Sequence, residues 1–179
     1  TFTPDGLRDR VAGLAVGAHL FADEVRTGMT ERETELRERL GLPGDAFIVG
    51  SFSRLAHWKG QHVLLEAALQ DPQLHVALVG APLFGEDAYE AALKAFVETH
   101  RMASRVHFLG FRDDVAACMR AVDVIAHTSI APEPFGRVIV EGMLAKRPVV
   151  AMRAGGVTEI IDDGMNGLLP HLHARDLTL

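Results

Sequence analysis

Short apolar runs alternate with longer amphipathic stretches from about residue 46 onward. The apolar runs are rich in Val, Ile, Leu and Phe and are bounded by Gly, Pro, Asp or Ser, a pattern typical of buried strands. The pattern predicts strands at AFIVGSF, LHVALVG, RVHFLG, DVIAHTS, RPVVAM and NGLLP. The stretches between them predict helices at residues 59–69, 86–101, 113–121, 135–145 and 156–161.

Strands that are apolar on both faces and alternate with helices indicate a parallel sheet that is covered on both sides. The predicted fold class is therefore α/β, a Rossmann-like parallel sheet with helices on both faces. Sheets of this kind bind ligands at the carboxyl ends of their strands. Candidate ligand-binding residues are therefore expected in the segments that follow the predicted strands.

Two stretches precede the first strand. TERETELRERLGLPGD, residues 30–45, predicts a helix that ends at Gly41 and at Pro43–Gly44, and its charges are expected to face the solvent. In residues 1–29 a helical stripe of apolar side chains is interrupted by Gly13 and Gly17, which weakens the prediction of a helix there. The first 21 residues carry charges and too short an apolar run for a signal peptide or a membrane span.

Composition narrows the class of protein. The chain has 179 residues, 48% of them hydrophobic, which suits one globular domain. A net charge of −6 with both signs interspersed argues against nucleic acid as a partner. Cys118 is the only cysteine in the sequence, so we expect no internal disulfide, an inert buried thiol and a cytoplasmic setting. The sequence lacks an initiator Met and is expected to be a fragment or a processed product.

The segment after the first strand, SRLAHWKGQ, places two cations beside a predicted helix start. Arg54 and Lys59 would oppose the positive end of the helix dipole unless an anion lay between them. A phosphate or diphosphate is the natural anion. The alternative is that both are ordinary surface cations, with Trp58 packed against the domain.

The stretch EPFGRVIVEG begins with Glu133 and contains Glu141. Pro134 suits a first helical turn, which predicts Glu133 at or near the N-cap, where it would either cap the helix or bind a ligand. The apolar neighbours of Glu141 predict a helix buried almost all round, so this carboxylate needs a partner. Eight residues of helix advance roughly 12 Å, so the two carboxylates would line one elongated ligand.

These motifs, with HFLGFRDDV, VDVIAHTS and RPVVAMRAGGVTEIIDDGMNGLL, occur in the order and spacing of a known family. From about residue 36 to residue 170 the chain resembles the donor-binding domain of family-4 retaining glycosyltransferases of the GT-B fold. The resemblance implies that residues 36–179 form a nucleotide-sugar-binding domain, truncated at its C-terminus, after a linker or helical segment at residues 1–35. It implies transfer of a sugar from a nucleotide-diphosphate donor to an unknown acceptor.

The resemblance also implies roles for individual residues. Arg54 and Lys59 would grip the donor diphosphate, Glu133 would contact hydroxyls of the transferred sugar, and Glu141 would accept hydrogen bonds from the ribose. Arg54, Lys59 and Glu133 would be the catalytic residues. The other implied contacts are backbone amides of Phe135 and Gly136 to the sugar, amides of Arg137 and Val138 near the phosphate, and Phe111 with Arg112 beside the base.

Gly155, Gly156 and Glu159 would form the loop behind the sugar, or alternatively a plain turn between a strand and a helix. His127 follows a predicted strand, where it would either line the cleft or, as we expect, be a structural histidine with its hydrogen bonds satisfied. This chain departs from the family pattern at Lys146, where the family commonly has glycine. The preceding helix is therefore expected to end without glycine, the residue that adopts a left-handed conformation most easily.

The resemblance implies no metal or other cofactor beyond the donor, and we expect His171 and His173 to lie in a solvated tail. It implies an N-terminal acceptor domain, in the same or another chain, without which this chain would be inactive. Peripheral membrane association through that domain and homodimerisation both stay open. The alternative function is a non-catalytic nucleotide-sugar-binding or interaction module. An oxidoreductase is disfavoured because no G-x-G-x-x-G follows the first strand.

Overall fold

The computed structural model describes residues 31–170. The predictions for residues 1–29 and for His171 and His173 lie outside this range. We number the elements in chain order. The helices are α1 (Glu31–Leu40), α2 (Gln61–Gln70), α3 (Asp87–Thr99), α4 (Val115–Arg120), α5 (Arg137–Leu144) and α6 (Val157–Ile160). The strands are β1 (Phe47–Phe52), β2 (Leu74–Val79), β3 (Val106–Gly110), β4 (Val124–His127) and β5 (Val149–Ala151). A short 3₁₀ helix occupies His57–Lys59.

The strands between residues 31 and 170 form one sheet in the order β3-β2-β1-β4-β5, with every neighbouring pair parallel. The registers include Phe47 opposite Leu74 and Ile125 opposite Val149. The predicted parallel α/β sheet is therefore confirmed. Helices between successive strands allow this arrangement, because parallel strands need a long crossover connection.

The strand predicted at NGLLP is wrong. Leu168 makes only an isolated bridge to Val150: its N–H donates to the Val149 oxygen at 3.0 Å, and its own oxygen accepts from Ala151 at 2.9 Å. On one side a turn precedes the segment, with the Gly164 N–H donating to the Gly167 oxygen. On the other side Pro170 has no N–H to donate, although its oxygen accepts the Arg153 N–H at 3.3 Å.

Alternate strand residues feed two hydrophobic cores, one on each face of the sheet. Val49 and Val76 point to the core under α2 and α3, whereas Ile48 and Ala77 point to the core under α1, α4 and α5. All four side chains are at most 2% exposed. Burial on both faces explains why the strands are apolar throughout rather than alternating with polar residues. None of the helices between residues 31 and 170 has the length and apolarity that crossing a membrane requires.

Helix α1 corrects the expectation that the charges of residues 30–45 face the solvent. Arg37 is 2% exposed and donates from Nη2 to the Asp123 carboxylate at 2.8 Å and from Nε to the Ala121 oxygen at 2.8 Å. The same Asp123 oxygen accepts the Ile48 N–H at 2.7 Å. Arg37 thus links α1 to the segment that leads into β4. Leu36 and Leu40 of the same helix pack into the core on this face of the sheet.

Helix α5 ends at a left-handed residue after all, although that residue is Lys146. Its φ is +59°, and its N–H donates to the Met143 oxygen at 2.9 Å. The next N–H, of Arg147, donates to the Gly142 oxygen at 3.1 Å, so the pair of bonds closes the helix as glycine caps usually do. The helix thus ends without glycine, as expected, and a lysine adopts the left-handed conformation in its place.

Replacement of Lys146 by glycine is expected to raise the free energy of unfolding by about 0.5–1 kcal/mol, because glycine adopts positive φ without the Cβ clash. Chemical denaturation of the two proteins measures the difference. Lys146→Ala is the matched control, since it removes the same side chain and keeps the Cβ. An equal gain in both variants would attribute the effect to the lysine side chain and contradict the backbone explanation.

Candidate functional site

The carboxyl ends of the five parallel strands lie at one edge of the sheet, and the direction in which strands are added reverses between β1 and β4. β2 and β3 are added on one side of β1, and β4 and β5 on the other. The loops that follow these strands therefore open a crevice between β1 and β4, the position where open α/β sheets bind ligands.

A cavity of about 220 Å³ lies in this crevice and contains half of the predicted donor-binding residues. Arg54, Phe111, Arg112, Val138 and Glu141 line it. The remaining lining residues are Phe52, Ser53, Val79, Gly80, Ala81, Leu83 and Val115. Residues from four separate segments of the sequence thus meet at one place, as the proposed site requires.

Lys59 and Glu133 form a second group, joined to the first through Trp58. Lys59 makes an ion pair with Glu133 Oε1. The Lys59 Nζ lies 4.1 Å from the centroid of the Trp58 ring, and the Arg54 Cζ lies 5.3 Å from the same ring. The two cations that the sequence suggested therefore share one indole, and one of them is already paired with a carboxylate.

Glu133 is 9% exposed, and the groups around it favour its charged form. Burial alone would raise its pKa, but hydrogen bonds from Lys59 and from the Ser129 hydroxyl at 2.9 Å, with the charge of Lys59, outweigh burial and leave the pKa below its usual value. The carboxylate is consequently ionised at neutral pH. It is held in place as an acceptor for hydroxyl groups.

His127 lies next to Glu133, and within the described residues its hydrogen bonds are not all satisfied, contrary to the expectation from the sequence. Its Nε2 is 3.5 Å from Glu133 Oε1, and its buried Nδ1 has no hydrogen-bond partner between residues 31 and 170. Burial lowers its pKa, and the charge of Lys59 lowers it further, against the opposing effect of the Glu133 carboxylate. The imidazole is therefore neutral at pH 7.

The loop that carries Glu133 differs from the prediction of a helix from residue 135 with Glu133 at its N-cap. α5 begins at Arg137, and Gly136 is its N-cap with φ +74°. Glu133 lies in the preceding loop, because the left-handed residue at 136 turns the chain before the helix can start. The N–H groups of residues 135–138 have no hydrogen-bond partner in the described part of the chain, so four amides stand free at this helix start.

Gly155 and Gly156 hold that loop from behind and are more than a plain turn. The Gly156 N–H donates to the Glu133 oxygen at 2.9 Å. A Cβ at Gly155 would lie 2.4 Å from the Glu133 oxygen, and one at Gly156 would lie 2.3 Å from the Pro134 oxygen. Only glycine permits this close approach of two backbones. Glu159, on α6, is exposed.

Glu141 is not the buried carboxylate that its apolar neighbours suggested. Its side chain is 40% exposed and lines the cavity, and its carboxylate lies 3.4 Å from the guanidinium of Arg137, which is 84% exposed. The helix α5 buries only Ile139 and Gly142, and Leu144 is 78% exposed. The error arose because α5 packs one face on the sheet and leaves its other apolar face open.

Phe111 and Arg112 stand at the mouth of the cavity. Phe111 is 74% exposed. Arg112 donates through two nitrogens to the Asp114 carboxylate, at 2.8 and 2.9 Å. These hydrogen bonds from Arg112 lower the pKa of Asp114 to about 2. The pair links two residues of the loop after β3, and both Phe111 and Arg112 line the cavity.

Two supporting residues were not recognised in the sequence. Ser129 holds the Glu133 carboxylate, and Gln61 donates from Nε2 to the Ser53 hydroxyl at 2.8 Å and to the Arg54 oxygen at 2.9 Å. Ser129 lies two residues after the end of β4 and Gln61 is the first residue of α2, so position relative to the strand and helix ends was the available signal. Between residues 31 and 170 no group of three His, Cys, Asp or Glu side chains is arranged to hold a metal ion.

Relatives with known activities span most of this chain. It is 34% identical over 174 residues to the D-inositol 3-phosphate glycosyltransferase of Corynebacterium urealyticum, covering 92% of this chain and 40% of that protein. It is 32% identical over 164 residues to the lipopolysaccharide core biosynthesis glycosyltransferase LpsE of Rhizobium meliloti, covering 92% and 46%. The chain thus spans less than half the length of these two relatives.

Solved structures of glycosyltransferases are also similar to this chain. The crystal structure of Anabaena Alr3699/HepE in complex with UDP-glucose matches with a TM-score of 0.75 and 49% identity, over 79% of this chain and 39% of that one. The C-terminal domain of the glycosyl transferase group 1 family protein LpcC from Francisella tularensis matches with a TM-score of 0.68 over 82% and 78% of the two chains. Its 24% identity shows the shared fold alone.

Family models complete the comparison. One sequence-family model, which is described only as a family of unknown function, matches residues 1–57. The model described as glycosyl transferases group 1 matches residues 32–174, the range that contains the sheet, the crevice and every candidate residue. This chain therefore belongs to the glycosyl transferases group 1 family, with the Rossmann-like half of a GT-B fold, as its motifs indicated.

Proposed function

We propose that residues 36–179 belong to the donor-binding domain of a retaining glycosyltransferase, which binds a nucleotide-diphosphate sugar. The observation that carries this proposal is the charge arrangement around Trp58. A guanidinium lines the crevice, and an ammonium next to it pairs with a buried, ionised carboxylate. An elongated ligand with anionic and hydroxyl-bearing parts complements this order of groups.

Each part of such a donor has a matching surface. The diphosphate would lie against Arg54 and Lys59 and accept hydrogen bonds from the free backbone N–H groups of residues 135–138. The transferred sugar would place hydroxyls on Glu133, and the ribose would place its hydroxyls on Glu141. The base would lie against Phe111 and the stem of Arg112. We propose uracil as the base, because the similar Anabaena structure is described with UDP-glucose at 49% identity.

The chemistry asked of these residues is stabilisation of a leaving group. Transfer breaks the bond between the anomeric carbon of the sugar and the diphosphate oxygen, and negative charge gathers on the diphosphate. Arg54, Lys59 and the amides of residues 135–138 would stabilise that charge at the start of α5. This would make a metal ion unnecessary. Retention of the anomeric configuration rests on the family resemblance.

The acceptor would come to this site from elsewhere. The chain spans 40% of its relative from Corynebacterium urealyticum, so we propose that an N-terminal domain, in the same or another chain, supplies the acceptor site. This chain alone would bind the donor without transferring the sugar. A cytoplasmic setting is consistent with its single, buried cysteine.

Calorimetric titration of the chain with UDP, GDP and ADP tests the proposal. We expect UDP to bind most tightly. Arg54→Ala should weaken UDP by about tenfold and uridine much less, because charge-assisted hydrogen bonds go to the phosphates. Glu141→Gln should weaken both ligands about fivefold, since its exposed carboxylate contacts only the shared ribose. A folded chain that binds none of the three nucleotides would refute the donor site.

A further inference from the structure

Phe84 is an unusual residue on the loop between β2 and α3. Its side chain is 89% exposed, and its backbone has φ +61°. A bulky residue rarely adopts positive φ, and exposure of an aromatic ring brings no gain from burial. Strained residues of this kind persist where a local function depends on them. The neighbouring residues Ala81 and Leu83 line the candidate cavity, so the loop borders the site.

The contact that Phe84 makes is with Arg54. The Arg54 Cζ lies 5.4 Å from the centroid of the Phe84 ring and 5.3 Å from that of the Trp58 ring. We call Phe84 and Trp58 the aromatic clamp. The main chain of Arg54 is fixed separately, because its oxygen accepts a hydrogen bond from Gln61 at 2.9 Å. The rings of the clamp are therefore the side chains that contact the guanidinium.

Aromatic rings and carboxylates hold a cation in different ways. A carboxylate takes up the N–H donors of a guanidinium, whereas a ring attracts the charge through its face and leaves the donors at the edge unused. Among residues 31–170 no carboxylate lies within salt-bridge distance of Arg54, in contrast to Lys59, which is paired with Glu133. Arg54 is therefore the cation of this site that is both oriented and still able to donate its hydrogen bonds.

We propose that Phe84 is a positioning residue, which holds Arg54 against Trp58 with its N–H donors directed to the donor diphosphate. The inference rests on the proposed donor site and adds to it a residue from the β2–α3 loop. It also gives Phe84 a restricted effect: because Phe84 acts through Arg54, it assists ligands that carry phosphate and leaves the nucleoside part unaffected.

Titration of the chain and of Phe84→Ala with UDP and with uridine tests this inference. We expect Phe84→Ala to weaken UDP by about threefold or more and to leave uridine unchanged. Phe84→Tyr, which keeps an aromatic face, should restore the affinity for UDP. Met165→Ala is the matched control, since Met165 is also 81% exposed and lies on a turn that does not line the cavity. It should bind both ligands as the parent chain does.

Three results would overturn the inference. Unchanged UDP affinity in Phe84→Ala would show that the ring does not act on Arg54. Equal weakening of UDP and uridine would indicate an effect on the nucleoside or on the fold. Absence of UDP binding by the unsubstituted chain would refute the donor site itself, and the inference with it. The first two results leave the donor site standing, so failure of the inference is distinguishable from failure of the proposed function.

Discussion

Replacement of Arg37 by methionine is expected to lower the free energy of unfolding by about 3–5 kcal/mol, because it leaves the charge of Asp123 buried without its cation. Both side chains are 2% exposed. Arg37 also donates to the oxygens of Ala121 and Ala46, each at 2.8 Å, so its removal leaves backbone acceptors without a donor. Denaturation by urea, monitored by circular dichroism, measures the change.

Arg39 provides a control on the same helix. It forms an ion pair with Asp114 at 3.2 Å, but its side chain is 63% exposed. Arg39→Met should therefore cost less than about 1 kcal/mol. A double variant, Arg37→Met with Asp123→Asn, should be less destabilised than the sum of the two single variants, since it removes the unpaired charge. If Arg37→Met cost no more than Arg39→Met, the buried ion pair would not be the tie between α1 and the sheet.

The pair illustrates which parts of the fold could be predicted from sequence. The strands β1 to β5 were predicted because burial on both faces makes them apolar throughout, a signal that is local to each segment. The partner of Arg37 is Asp123, and no local pattern connects two residues that are brought together only when α1 packs beside the start of β4. A helix with seven charged residues among ten looks solvated unless its packing partner is known.

The site shows the same division. Arg54 and Glu141 line one cavity, and Glu133 pairs with Lys59 beside Trp58, because parallel strands place their following loops at one edge. The conformation of the loops was not predictable. Helix α5 begins at Arg137, two residues later than the predicted start at residue 135. The Gly155–Gly156 contact with the Glu133 backbone depends on two segments that meet only in three dimensions.

A second consequence of three-dimensional packing concerns Lys59. The sequence placed this cation near the phosphate, but in the structure it is paired with Glu133. Donor binding would thus require Lys59 to be shared between the carboxylate and the diphosphate. In the proposed site Glu133 would have two roles that act in opposite directions on the ligand. It would attract the sugar hydroxyls, and it would compete with the diphosphate for the ammonium group.

Glu133→Gln separates these two roles. We expect this variant to bind UDP-glucose more weakly by about 1.5–3 kcal/mol, roughly 10- to 150-fold, because the sugar loses charge-assisted hydrogen bonds. Its affinity for UDP should be unchanged or higher, since Lys59 no longer faces a competing negative charge. Calorimetric titration with both ligands gives the two affinities on the same protein.

Glu141→Gln is the matched control, because it makes the same chemical change at the ribose end of the cavity. It should weaken UDP and UDP-glucose equally, since both ligands carry the ribose. The informative quantity is the affinity for UDP-glucose divided by the affinity for UDP. This ratio should fall in Glu133→Gln and stay constant in Glu141→Gln. Equal losses of both ligands in Glu133→Gln would place Glu133 on the nucleotide or in the support of the fold, and would remove it from the sugar.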